Sequence, residues 1–248
     1  MINQDVFKDE IKDFTLFHIP HSSTFIPDYT GFIVEKIDHE IQLLTDFATD
    51  KMFDVEGIDK LVVLYSRVFC DVERLPDSLE LLFKVGRGIY YTHCDNGDIL
   101  RETNPSHQAK VIREYYDKHH AEFEKIVSDK LNEYGTMVII DCHSFSDIPF
   151  KTDLDQSSNR PDICIGTDEF HTPKYLINSI INSCREFNFS YKIDSPYVGT
   201  IVPMKYYGKD NRVKSVMIEI NRKLYMNDGK VEGDKVQFLR EFINHIFN

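Results

Sequence analysis

Short apolar runs alternate with helical patterns along most of this chain, and that alternation narrows the fold more than any other feature. The runs "FTLFHI" (14–19), "KLVVLYSRVF" (60–69), "MVIID" (137–141), "DICIGT" (162–167) and "VKSVMIEIN" (213–221) are rich in Val, Ile and aromatics, as buried strands are. Between them, residues 104–135 open with Asn104 as a cap and Pro105 at the first helical position. They repeat Ile112, Tyr116, Phe123, Val127 and Leu131, and end near Gly135, which predicts a long helix. Further helical patterns cover 34–54, the stretch from Thr172-Pro173 through Leu176, Ile180 and Cys184, and 234–247 with Leu239, Phe242 and Ile246. The expected fold is α/β, with a mixed, mostly parallel sheet and helices on both faces. No linker-like tract divides the 248 residues, so one domain spanning 1–248 is expected. Residues 84–104, "KVGRGIYYTHCDNGDILRETN", carry turn signals without a sustained period and read as a long loop or hairpin.

Charge and cysteine usage restrict partners and location. Lysine and arginine number 29 against 41 aspartates and glutamates, a net charge of -12, which argues against nucleic-acid or anionic-membrane surfaces. The five cysteines, at 70, 94, 142, 164 and 184, are odd in number and form no CxxC pair, so neither a disulfide framework nor a zinc ribbon is expected. The start "MINQDVFKDE" lacks the pattern of a signal peptide, and no run approaches the ~18 apolar residues of a membrane span. A soluble, cytoplasmic protein is expected.

The residues able to do chemistry stand at strand ends. In "VIIDCHSFSD" (138–147) an apolar run passes straight into Asp141 and His143, and His21 follows the first run across Pro20. Ligands gather at the carboxyl ends of strands in α/β sheets, and two imidazoles there suggest a zinc site, which needs a third protein ligand. Asp46 and Asp50 fall at helical spacing with Leu43 and Phe53, putting two carboxylates within an apolar stripe that calls for a cationic or metal partner. Glu219 is a second anomaly. Strand alternation sets Ser215, Met217, Glu219 and Asn221 on one face and Val216, Ile218 and Ile220 on the other. On a central strand Glu219 would be buried with a raised pKa, suited to a general base; on an edge strand it would face solvent. A third constellation, "YSRVFCDVERLPD", places Arg67, Asp71, Glu73 and Arg74 after a strand. Those arginines could hold a carboxylate or an oxyanion, or form a structural network with Asp71.

Eight segments in order, "IPHSSTFIP", "TDFATDKMF", "YSRVFCDVER", "GRGIYYTHCDNGDILR", "IIDCHSFSD", "DICIGT", "YVGTIVPMKYYG" and "VMIEINRKLYM", resemble the N-formylglutamate amidohydrolase family from about residue 14 to 226. The resemblance implies a zinc-carboxypeptidase-like α/β fold and one zinc ion that activates water to split the amide of a small N-acyl amino acid. By residue, it implies His21, Asp46 and His143 as zinc ligands, with Asp50 as the substitute for Asp46. Glu219 becomes the general base, Arg67 the oxyanion partner, and Arg74, Glu73 and Ser66 the substrate contacts. Thr24 stands where carboxypeptidase relatives carry an acidic ligand, and Ser23 replaces the family glycine of "PHxG". Glu73 replaces the family asparagine of "SRxxxDxNR". An anion beside Arg74 is expected to weaken activity on N-formylglutamate itself. Two other functions fit the same sequence: a carboxypeptidase-like hydrolase of peptides or cell-wall fragments, and a catalytically inactive binding protein.

Overall fold

The computed structural model describes residues 11–76 and 80–248, so the amino-terminal stretch read for targeting signals lies outside the described residues. The elements follow in chain order: β1 (Thr15–Ile19), α1 (Val34–Leu44), α2 (Thr49–Met52), β2 (Asp59–Val62), α3 (Pro105–Val111), α4 (Asp117–Tyr134), β3 (Met137–Phe145), β4 (Ile163–Gly166), α5 (Lys174–Glu186), β5 (Tyr191–Ile193), β6 (Val213–Asn221) and α6 (Gly233–Ile246). The six strands form one sheet in the order β2-β1-β3-β6-β4-β5. Every neighbouring pair is parallel except β4 with β6.

Strand alternation divides the core. Phe17, Ile140, Ile218 and Ile220 point to one face and pack with Met52 of α2, Leu176 and Ile180 of α5, and Leu239 and Phe242 of α6. Leu16, Met137, Ile139 and Val213 point to the other, against Phe123, Val127 and Leu131 of α4. Helices therefore cover both faces, as the apolar runs on fully buried strands require. Beyond those contacts, the second face of β3 and β6 carries Asp141 and His143 beside Met217 and Glu219, all buried. A third cluster joins Ile37, Ile41 and Leu44 of α1 to Val68, Phe69, Tyr91 and Leu100.

Two predicted elements break where the site is built. The run 60–69 yields only the four residues of β2. Beyond it, Phe69 and Cys70 donate backbone hydrogen bonds to the Ser66 carbonyl at 2.9 and 3.2 Å, and this turn overrides the apolar pattern. The helical pattern 34–54 also breaks. Thr45 is extended, the Asp46 amide donates to the His21 carbonyl at 2.9 Å, and Ala48 takes a left-handed φ of 61° before the four-residue α2. Asp46 thus stands in a break between helices rather than on a stripe.

The long helix is interrupted by a π turn over Ile112–Tyr116 and closes at Gly135, whose φ of 72° suits its position past the last turn. β5 is three half-exposed residues with no apolar run to announce it. Residues 87–101 carry only isolated bridges, anchored by the buried Arg101 guanidinium against the rings of Phe32 and Tyr90 at 3.6 and 3.9 Å. Among the described residues no helix is long and apolar enough to cross a membrane.

Candidate active site and metal centre

His143 and Glu219 are register partners on β3 and β6, and β6 lies between β3 and β4. Glu219 is therefore on a central strand, and of its two possible placements the buried one holds. His21 follows β1, the other neighbour of β3, and its carbonyl receives the Asp46 amide. Three separate strands and one helix break thus deliver His21, Asp46, His143 and Glu219 to one place.

There the two imidazoles are arranged alike. Nδ1 of His143 lies 3.2 Å from Asp46 Oδ2, and Nδ1 of His21 lies 3.6 Å from the same oxygen. The opposite nitrogens are each held by a carboxylate: His21 Nε2 by Asp71 Oδ1 at 2.9 Å and His143 Nε2 by Asp141 Oδ1 at 3.0 Å. A carboxylate on Nε2 fixes the ring and the tautomer that leaves Nδ1 unprotonated. The other oxygen of Asp46 accepts from Arg222 Nη2 at 2.7 Å, leaving Oδ2 toward the histidines. Donor atoms of His21, Asp46 and His143 all lie within 4.8 Å of one another, and His21 Nδ1 is buried without a hydrogen-bond partner. Asp50, on α2, is outside this group.

Asp71, fully buried, is the hub beneath. Its Oδ2 accepts from Arg67 Nη2 at 2.9 Å and Tyr91 Oη at 2.6 Å, with Arg74 Nε 3.2 Å away. Burial would raise its pKa, but the charges of Arg67, His21 and Arg74 hold it well below the usual carboxylate range. The structural network with Asp71 is therefore present, and it fixes both arginines at the cavity wall. Ser66 is also fully buried, and its hydroxyl accepts from the Val68 amide at 3.2 Å; it is not among the residues lining the cavity.

Glu73 is not turned toward Arg74. Its Oε2 lies 3.1 Å from His143 Nε2 and 4.0 Å from His21 Nδ1, and its Oε1 lies 3.4 Å from His18 Nδ1. Burial opposes its ionisation, yet His143 and His18 hold its pKa well below the ordinary value. His143 answers in kind: burial lowers its pKa, but Glu73, Asp141 and Asp46 push it well up. The cluster attracts positive charge, whether protons or a metal ion. Glu219 behaves oppositely. Burial raises its pKa to about 8, and its Oε2 has no partner.

His21, Asp46, Arg67, Arg74, His143 and Glu219 line one cavity of about 610 Å³. Its mouth carries the apolar side chains of Leu81, Leu154 and Val198, each more than two-thirds exposed. Three site residues were not read as contributors from the sequence: Asp141, His18 and Arg222. Asp141 had a signal, since it stands two residues before His143 and so shares its strand face. Arg222 had none, because its contact with Asp46 crosses most of the chain.

The model of the N-formylglutamate amidohydrolase family matches residues 14–226. Among solved structures, the N-formylglutamate amidohydrolase from Ralstonia eutropha JMP134 is similar with a TM-score of 0.83 at 19% identity, over 94% of this chain and 91% of that one. A gene product from Agrobacterium tumefaciens is similar with a TM-score of 0.64 at 17% identity, over 96% and 92% respectively. These two likenesses speak for the fold. No curated protein sequence matches.

Proposed function

This chain belongs to the N-formylglutamate amidohydrolase family, and on that premise we propose that it hydrolyses the amide of a small N-acyl amino acid with one zinc ion at His21, Asp46 and His143. One observation carries the reading. Two buried imidazoles present Nδ1 toward the same carboxylate oxygen while each Nε2 is held by its own carboxylate. Three N/O donors at this spacing suit a catalytic zinc, which keeps a further position open. The partnerless His21 Nδ1 fits the same purpose. When bound, zinc supplies a Lewis acid that polarises the amide carbonyl and makes water acidic near neutral pH.

The chain's own residues supply the rest. Glu219, facing the cavity, would take the proton from the attacking water and hand it to the departing amine. A neighbouring cation favours its ionised form, drawing its raised pKa back toward neutrality. Arg67 would meet the negative charge that develops on the carbonyl oxygen, and Arg74 would orient the substrate carboxylate. Asp71 holds both guanidinium groups in place before substrate arrives. As a single-domain enzyme, the chain would act in the cytoplasm on a small molecule.

The exposed apolar mouth gives specific support to a second reading, a carboxypeptidase-like hydrolase of peptides or cell-wall fragments. Such side chains can cover a substrate extending well past a formyl group. One experiment separates the readings: metal analysis of the purified protein, followed by amine release from a series of N-acyl amino acids and short peptides. Hydrolysis of N-acyl amino acids that chelation abolishes and zinc restores is the expected result. A metal-free protein that gains no activity with zinc would favour the inactive binding protein instead.

A further inference from the structure

We propose that the chain holds a second divalent cation behind the first, on His18, Glu73 and Asp141. Donor atoms of these three residues also lie within 4.8 Å of one another. His18 Nδ1 is 3.2 Å from Asp141 Oδ1 and 3.4 Å from Glu73 Oε1. His143 stands between the two groups: its Nδ1 faces Asp46, while its Nε2 lies 3.0 Å from Asp141 and 3.1 Å from Glu73.

Charge balance supports the assignment. Asp46 is paired with Arg222, and Asp71 with Arg67 and Arg74. Glu73 and Asp141 have no guanidinium or ammonium partner among the described residues; their side chains meet imidazoles, and Asp141 Oδ2 accepts the Ile201 amide at 3.0 Å. The inference rests on the proposed first site, to which His143 gives its Nδ1 while its Nε2 faces Asp141 and Glu73. His18 is the one imidazole facing both carboxylates that lies outside the proposed first site. Asp141 is buried and Glu73 keeps only 17% of its side chain exposed, so two carboxylates against one such group call for a further cation. Glu73 Oε1 adds an independent sign. It is buried without a hydrogen-bond partner despite its closeness to His18. One imidazole and two carboxylates form a set that suits zinc or manganese.

The alternative is that His18 becomes an imidazolium, donating to Asp141 and, from Nε2, to His119 Nε2 at 3.0 Å. Metal stoichiometry decides between them. The full chain is stripped with chelator, reloaded with Zn2+ or Mn2+, and its bound metal counted by mass spectrometry and calorimetric titration. Two equivalents are expected for the wild type and one each for Glu73→Gln and His18→Gln. His39→Ala, altering a histidine exposed at the surface, should keep two and so controls for adventitious binding. Circular dichroism checks that each variant is folded, and the near-isosteric Glu73→Gln covers the case in which His18→Gln is not. In the Mn2+ form, spin coupling between neighbouring ions should appear in the wild type and vanish in Glu73→Gln. One equivalent in the wild type, or a second that survives both substitutions, overturns the second site. The first site fails separately: Asp46→Asn would then leave the metal count unchanged. A wild type that binds no metal overturns both.

Discussion

His143 and Glu219 occupy matched positions on adjacent parallel strands, β3 and β6, so a proposed metal ligand and a proposed proton acceptor share one face of the sheet. Their spacing is set by sheet register, the most rigid ruler the fold has. Glu219→Gln keeps the shape of the side chain and removes its basicity. Turnover should fall by about 10²–10⁴, the usual contribution of a positioned general base, with zinc content unchanged. Near-normal turnover with intact zinc would return Glu219 to a structural role.

The raised pKa of Glu219 also makes a stability prediction for the metal-free protein. Its folded value of about 8 stands above the ordinary 4.5, so folding favours the protonated group. That contribution is fully present below about pH 4.5 and is lost as pH rises toward 8. Thermal melts of metal-free wild type and Glu219→Gln, compared from pH 5 to 8.5, should therefore shift in favour of the variant as pH rises. A constant difference across that range would contradict burial as the cause.

Ligand identity is tested by metal content. His143→Ala should remove metal from the first site and most activity while the fold persists, because the ring belongs to the cavity wall and is in none of the apolar clusters that pack on β3. Asp46→Asn should do the same, whereas Asp50→Asn, outside the cluster, should bind metal as the wild type does. Retained metal in Asp46→Asn together with loss in Asp50→Asn would reverse the assignment.

Asp71 should matter to stability as well as to activity. Asp71→Asn leaves Arg67 and Arg74 without their shared anion and weakens the partner of His21 Nε2. Breaking a buried ion pair from one side costs roughly 3–5 kcal/mol, so the denaturant midpoint should drop clearly. KM for an anionic substrate should rise as the arginines lose their fixed orientation. A variant as stable as the wild type would show that water replaces the carboxylate without loss.

The α/β class, the alternating strands and helices, and the strand face that Glu219 shares with Ser215 and Met217 were legible in the sequence, because each depends on a local period or on a cap such as Asn104–Pro105. His21 and His143 were legible as strand-end residues for the same reason, and the eight ordered segments pointed to the family that the profile match then showed. Tertiary structure decided the rest. Asp46 leaves its helical pattern because its amide pairs with the His21 carbonyl, and it meets His143 across 97 residues. Glu73, expected beside Arg74, turns instead into a group of imidazoles whose electrostatic attraction outweighs its neighbourhood in the chain. Arg222 reaches Asp46 across 176 residues. Periodicity reports which face a side chain takes, but a buried charge goes to whichever opposite charge the fold brings near, and that depends on the register of strands far apart in sequence.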